Sequence, residues 1–126
     1  MNVLSLNIRG MADPLKFDWL RRLYKDCKFS FCGLQESRLS QLPDHIGEWC
    51  GIQNPGIDYV ESIGKSGGII SFWDRNIFQD IAILKSRHYL AVIGYWNGIA
   101  GETLLLNVYA PSAPWHLDNL WRLQCR

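Results

Sequence analysis

The sequence is poor in the marks of a secreted, stapled or membrane-bound protein. Its four cysteines, Cys27, Cys32, Cys50 and Cys125, show no CxxC spacing and no nearby histidine pattern that would read as a zinc site. Each reads instead as a small, reduced core residue, and an intracellular setting follows from that. No apolar run approaches the ~18 residues of a membrane span, and no basic stretch leads into an apolar segment with a cleavage site, so no membrane partner is expected. Charge of one sign is also lacking: 13 Lys and Arg stand against 12 Asp and Glu, a net charge of +1. A basic excess often marks nucleic-acid binders, so this balance neither supports nor excludes such a partner. With no internal repeat, low-complexity tract or linker, residues 1–126 read as one domain.

What is present is material for a core: 48% apolar residues and six tryptophans in a chain with only 20% charged residues. At the start, Leu4, Leu6 and Ile8 alternate with Val3, Ser5 and Asn7, which predicts a strand closed by Gly10. Asp13 and Pro14 then form an N-cap with proline at the first helical position. Leu15, Trp19, Leu20, Leu23, Tyr24 and Cys27 recur at helical spacing, with Lys16, Asp18, Arg21, Arg22, Lys25 and Lys28 on the opposite face. That basic face reads as solvated or as a phosphate-backbone contact. Phe29 to Gln35 is a second apolar run ending at Glu36. Strand, helix, strand is an α/β crossover unit, which sets the two strands parallel and brings Asn7 and Glu36 to the same sheet edge. Ligand sites in open α/β sheets lie at the carboxyl ends of strands.

Beyond Ser40, Pro43, Gly47, Gly51 and Pro55 break the pattern around a short helical turn at Ile46, Trp49 and Cys50. The chain then turns β-rich. Tyr59 to Ile63 and Gly68 to Trp73 read as a hairpin joined through Gly64-Lys65-Ser66-Gly67, and Phe78 to Ser86 pairs with Tyr89 to Trp96 around Arg87-His88. Asn97-Gly98 is a turn, Thr103 to Tyr109 a further strand, and Ser112, Pro114, Leu117, Leu120 and Trp121 sketch a last helix. Few later elements follow that could cover its apolar face, which makes self-association through an uncovered sheet face an expectation.

Three strand ends carry polar groups that a core strand does not need. Glu36 is placed for a hard cation such as Mg²⁺, which takes one or two protein carboxylates and completes its shell with water and phosphate; a solvated glutamate is the alternative. Asn7 can orient a water or a phosphate oxygen, or simply end a strand. Tyr109 can donate to a phosphate oxygen, or pack on the sheet with its hydroxyl in water. Ser66-Gly67-Gly68 lacks the Lys-Ser/Thr ending of a phosphate-binding loop, and a hairpin turn accounts for its glycines. His45, His88 and His116 form no triad or metal spacing.

Taken in order, Ser5-Leu6-Asn7-Ile8-Arg9-Gly10, Leu34-Gln35-Glu36-Ser37, the segment from Ser66 to Asp74 and Asn107-Val108-Tyr109-Ala110-Pro111 resemble the endonuclease/exonuclease/phosphatase superfamily, above all the endonuclease domains of plant non-LTR (LINE-type) retrotransposons. The resemblance implies a DNase-I-like α+β fold, two packed mixed β-sheets flanked by helices, of which this chain holds the N-terminal portion. It implies Mg²⁺-dependent hydrolysis of DNA phosphodiesters, in the nucleus for a retroelement enzyme. Glu36 would be the metal-binding glutamate, Asn7 the asparagine that positions phosphate and water, and Tyr109 the tyrosine that contacts the scissile phosphate. Arg9 stands where the apurinic-endonuclease pattern has an acidic residue and agrees with the retrotransposon pattern, which argues against a damage-specific role. The family's Gly-Asp-x-Asn segment and Asp-His pair, which supply the water-activating base, do not occur in these 126 residues. Asp74 and Asp118-Asn119 are the nearest substitutes, in a different sequence context.

Overall fold

The computed structural model describes residues 2–43 and 51–109. The expected helical turn at 46–50, the last helix, His45, His116, Cys50, Cys125 and Asp118-Asn119 lie outside the described residues.

Among the described residues seven strands form two sheets and one helix joins the first two strands. The first has the order β1-β2-β4-β3, from β1 (Val3–Asn7), β2 (Phe31–Gln35), β3 (Pro55–Val60) and β4 (Ile69–Asp74). The second has the order β5-β6-β7, from β5 (Phe78–Lys85), β6 (Tyr89–Trp96) and β7 (Thr103–Val108). Helix α1 (Pro14–Cys27) crosses between β1 and β2, which pair in parallel with Asn7 opposite Gln35. The remaining pairings are antiparallel, which makes the first sheet mixed.

Alternation along the strands divides the core. Cys32, Leu34, Ile70 and Phe72 face one way and pack with Leu20 of the helix and with Ile8, Met11 and Phe29. Phe31 and Trp73 face the other way and meet Phe78, Val92 and Trp96 of the second sheet. Burying this many large side chains on both faces of one sheet is what fixes its register.

The helix begins as expected. Asp13 accepts a hydrogen bond from the Leu15 N–H at 3.0 Å, Pro14 occupies the first turn, and Lys28 closes the other end with φ 50°. Its buried stripe differs from the expected one. Leu20 is fully buried with Phe17, Leu23 and Tyr24 packed beside it, whereas Leu15 is 70% exposed, Trp19 is exposed and Cys27 is exposed rather than in the core. Helical spacing permits neighbouring stripes, and a helix lying on a single sheet face has only one covered. Lys16, expected on the solvated face, is partly buried for a reason given below.

The third strand also corrects the expectation. It begins at Pro55, not Tyr59, and residues 61–68 form the connection. A proline is tolerated there because β3 is an edge strand and Pro55 its first residue. Gly56 lies directly under the Trp73 indole, so close that a Cβ would collide with it.

Candidate functional site

The parallel pairing of β1 and β2 brings their carboxyl ends to one edge, and the chain just beyond them is knitted together by backbone hydrogen bonds. The Gly10 N–H donates to the Glu36 carbonyl at 2.7 Å and the Met11 N–H to the Ser37 carbonyl at 2.9 Å. On the other side, the Ser37 N–H donates to Gly68 at 3.1 Å and the Arg38 N–H to Gly67 at 2.9 Å. Glu36 to Arg38 is thus held from both flanks. The glycines at 67 and 68 have φ of 77° and 91°, and a side chain at 68 would collide with the Ser37 hydroxyl. Positive φ at both positions, and close approach at 68, account for them.

Lys16 braces the same edge. Its ammonium donates to the carbonyls of Ile8 at 2.8 Å, Arg9 at 3.1 Å and Gly10 at 2.8 Å, which uses all three of its hydrogens on the loop that follows β1.

Asn7 and Glu36 are therefore brought to one edge, as expected. Asn7 is exposed, and its amide oxygen accepts from the Arg9 N–H at 3.2 Å. Glu36 has φ 55°, and its carboxylate is 29% exposed with a loose ion pair to Arg38 at 3.8 Å. Tyr109 follows β7, with its N–H donating to the His88 carbonyl at 2.8 Å. Its ring lies against Gly67, 3.5 Å from where a Cβ would stand, and it lines a cavity of about 210 Å³ with Val60, Gly67, Gly68, Arg87 and His88. Tyr109 thus reaches the edge through Gly67, the residue bonded to Arg38. Asp74 sits at the far end of β4, paired with Pro55 and accepting from the Asn76 N–H at 2.9 Å.

Two residues without an expected role organise this end of the molecule. On the face of the first sheet that meets the second, the core turns from aromatic to polar as it nears the carboxyl edge. Asn107 of β7 is buried there and donates to the Ile70 carbonyl at 2.9 Å and the Ser71 hydroxyl at 3.0 Å, with a longer contact to the Leu34 carbonyl at 3.4 Å. Its oxygen accepts from the Gln35 amide at 2.6 Å, and that amide also donates to Ser5 at 3.1 Å. Gln35 is the register partner of Asn7, so the network runs from the second sheet to the strand end that carries it. The available signal was alternation for two of them: Gln35 and Asn107 are polar at positions whose period assigns them to an inner face, whereas Ser5 lies on the exposed side of β1.

These two sheets and the crossover helix have a solved counterpart. The crystal structure of an AP endonuclease from Leishmania major superimposes with a TM-score of 0.66 over 94% of this chain, at 14% sequence identity. The chain has a DNase-I-like fold. It spans 44% of the length of that structure, and no family model matches the sequence.

Within the DNase-I-like fold the donor set at the edge is sparse. Among the described residues no group of three or more His, Cys, Asp or Glu side chains is gathered. A single, partly exposed carboxylate at Glu36, engaged only by a 3.8 Å contact, suits a hard cation that completes its shell with water and phosphate oxygens. No described helix is long and apolar enough to cross a membrane.

Proposed function

We propose that this chain contributes the Asn7, Glu36 and Tyr109 portion of a divalent-metal-dependent phosphodiesterase site acting on DNA. One observation carries the reading: parallel β1 and β2 end together, so an amide and an open carboxylate share one edge, with a tyrosine reaching it through Gly67. Under this reading Glu36 would hold Mg²⁺, which when bound supplies Lewis-acid polarisation of a phosphoryl oxygen. Asn7 orients a phosphate oxygen or a water through its amide, and Tyr109 donates its hydroxyl hydrogen to a phosphate oxygen. Gln35 and Asn107 hold β1, β2 and β7 in a fixed relation, which keeps these groups from drifting. A retroelement origin is supported by Arg9, by the motif order and by nothing finer.

The water-activating base of the resembled family is absent from these 126 residues, and losing such a base costs ~10²- to 10⁴-fold in rate. Plasmid nicking by the chain alone is expected to be negligible, and metal-dependent nicking abolished by Glu36→Ala would show that the described edge suffices by itself. Metal binding is tested separately from cleavage. Ca²⁺ should raise affinity for a short duplex in the wild-type chain and not in Glu36→Ala; equal gains in both would refute the assignment.

A second reading, a non-catalytic interaction module, is favoured by the outer face of the second sheet. Leu84, Tyr95 and Leu104 there are exposed, Leu104 by 59%. Concentration-dependent light scattering tests it: growth in mass with concentration supports association through this face, and a monomer throughout counts against it.

A further inference from the structure

Among the described residues the two sheets have four edge strands, and these edges are not alike. β3 opens on Pro55, and its Asp58 meets Lys85 of β5 at 2.8 Å. β5 carries a bulge between Asp80 and Ala82, where Arg75 donates to the Asp80 carboxylate at 3.3 Å and to the Pro55 carbonyl at 3.3 Å. Proline, a bulge and charge are the devices that keep an edge strand from pairing with another chain. The opposite edges, β1 and β7, line a small cavity of about 60 Å³ together and have none of these devices. On β1 two of the three exposed residues, Ser5 and Asn7, are polar, and Asn7 stands in the candidate site. On β7 the exposed residue is Leu104, with Leu84 and Tyr95 exposed on the same face of the second sheet.

Hydrogen bonding decides which backbone groups of β7 face away from β6. The Tyr109 N–H donates to the His88 carbonyl, and these two lie opposite each other when the pairing of Tyr89 with Val108 is continued by one residue. In an antiparallel pair only alternate residues exchange bonds with the neighbour. Asn107, Leu105 and Thr103 therefore bond to β6, and Leu104, Leu106 and Val108 turn their N–H and C=O groups outward. Among the described residues no strand lies beyond them.

We propose that β7 is a pairing edge for a second copy of this chain, joined antiparallel about a two-fold axis so that the second sheets of two molecules run on as one six-stranded sheet. A two-fold sets a strand against itself, so an uncharged strand pairs without repulsion; Thr103 to Val108 is uncharged, whereas β3 and β5 carry Asp58, Asp80 and Lys85. With Leu105 opposite its own copy, Leu104 of each chain bonds to Leu106 of the other, and leucine meets leucine on both faces of the sheet. The proposal rests on the interaction-module reading and deepens it, placing the contact at the edge of the second sheet instead of on its outer face. A strand of six residues is ~20 Å long, so the interface lies at the small end of specific contacts and the association is weak.

The test combines sedimentation of the full 126-residue chain over a wide range of concentration with amide hydrogen exchange, in reducing buffer so that the exposed Cys27 forms no bridge. Mass should rise from monomer to dimer. The amides of Leu104, Leu106 and Val108 should gain protection over the same concentrations, while those of Thr103, Leu105 and Asn107 stay protected throughout. Leu106→Pro removes an outward N–H and leaves the bonds to β6 in place; symmetry deletes two inter-chain bonds at once, so the dissociation constant should rise about 30-fold. Matching thermal midpoints at low concentration verify that this variant folds, and the exchange measurement on the wild type stands without it. Leu84→Lys, on the outer face of β5, should leave the dimer intact. Protection of Leu104, Leu106 and Val108 in the monomer would overturn the proposal by assigning the edge to a strand of the same chain. A dimer whose outward amides exchange freely, or one that Leu84→Lys dissociates, would refute the edge and leave the interaction-module reading standing. A monomer at every concentration would refute both.

Discussion

Replacing Asn107 by alanine removes a buried amide that hydrogen-bonds from the second sheet to both β2 and β4. Three well-formed hydrogen bonds are lost, to the Ile70 carbonyl, the Ser71 hydroxyl and the Gln35 amide, at 2.9, 3.0 and 2.6 Å. Each such bond contributes about 1 kcal/mol net, and the truncated side chain leaves a small void that adds a little more. Gln35 keeps its bonds to Ser5 and Gly33, whereas the buried Ser71 hydroxyl loses this partner. The expected loss is about 3–4 kcal/mol, a large share of the stability of a small domain. With a urea dependence of about 2 kcal/mol per molar, the unfolding midpoint should fall by about 1.5–2 M. Tryptophan fluorescence is a suitable probe because Trp73 and Trp96 are buried between the sheets. Removing Ser71 as well should give less than the sum of the two single losses, because the second substitution deletes the group that the first left unsatisfied. A midpoint shift under about 0.5 M for Asn107→Ala would show that the network does not join the sheets as described.

Further predictions concern the frame around that network. Gly56→Ala forces a methyl group into the Trp73 indole, and since the ring is fully buried the chain should express poorly or unfold well below the wild-type temperature; a wild-type melting curve would mean that the ring has room to move. Burial acts to raise the pKa of Asp80, but hydrogen bonds from Trp73 and Arg75 and the Arg75 charge outweigh it and hold the carboxyl below its ordinary value. A depressed folded pKa stabilises the fold above the unfolded pKa, and that contribution disappears as pH falls through the folded one. The stability difference between wild type and Asp80→Asn should therefore be present at neutral pH and shrink in acid, and a difference independent of pH would contradict this.

The parts of the fold that were legible in the sequence are those where one physical rule acted alone. Alternation in residues 3–8, Asp13-Pro14 opening the helix and the two strand-forming runs on either side of Arg87-His88 predicted a crossover unit and a hairpin that the structure contains. Where several placements satisfied the same rule, the sequence was silent. Leu15 and Trp19 repeat at helical spacing as well as Phe17 and Leu20 do, and only the sheet decides which stripe is covered. Pro55 reads locally as a breaker, yet at an edge its missing N–H costs nothing. The left-handed backbone at Arg9, Glu36 and Arg38 was hidden for another reason: at a non-glycine residue it has no composition cue. The edge carrying Asn7 and Glu36 was predictable, because parallel strands place their carboxyl ends together. Gln35 and Asn107 lie within the motifs, but their bond spans 72 residues and no local pattern announces it.

The central claim is that Glu36 and the strand ends around it take a divalent cation. Paramagnetic broadening by Mn²⁺, followed in the amide spectrum of the ¹⁵N-labelled chain, tests it most directly. Substoichiometric Mn²⁺ should selectively broaden the amides of residues 7–10, 36–38, 67–68 and 109, leave the far turn at Asn97-Gly98 sharp, and lose that selectivity in Glu36→Ala. Broadening centred on Asp74 or Asp80, or a pattern unchanged by Glu36→Ala, would contradict the account.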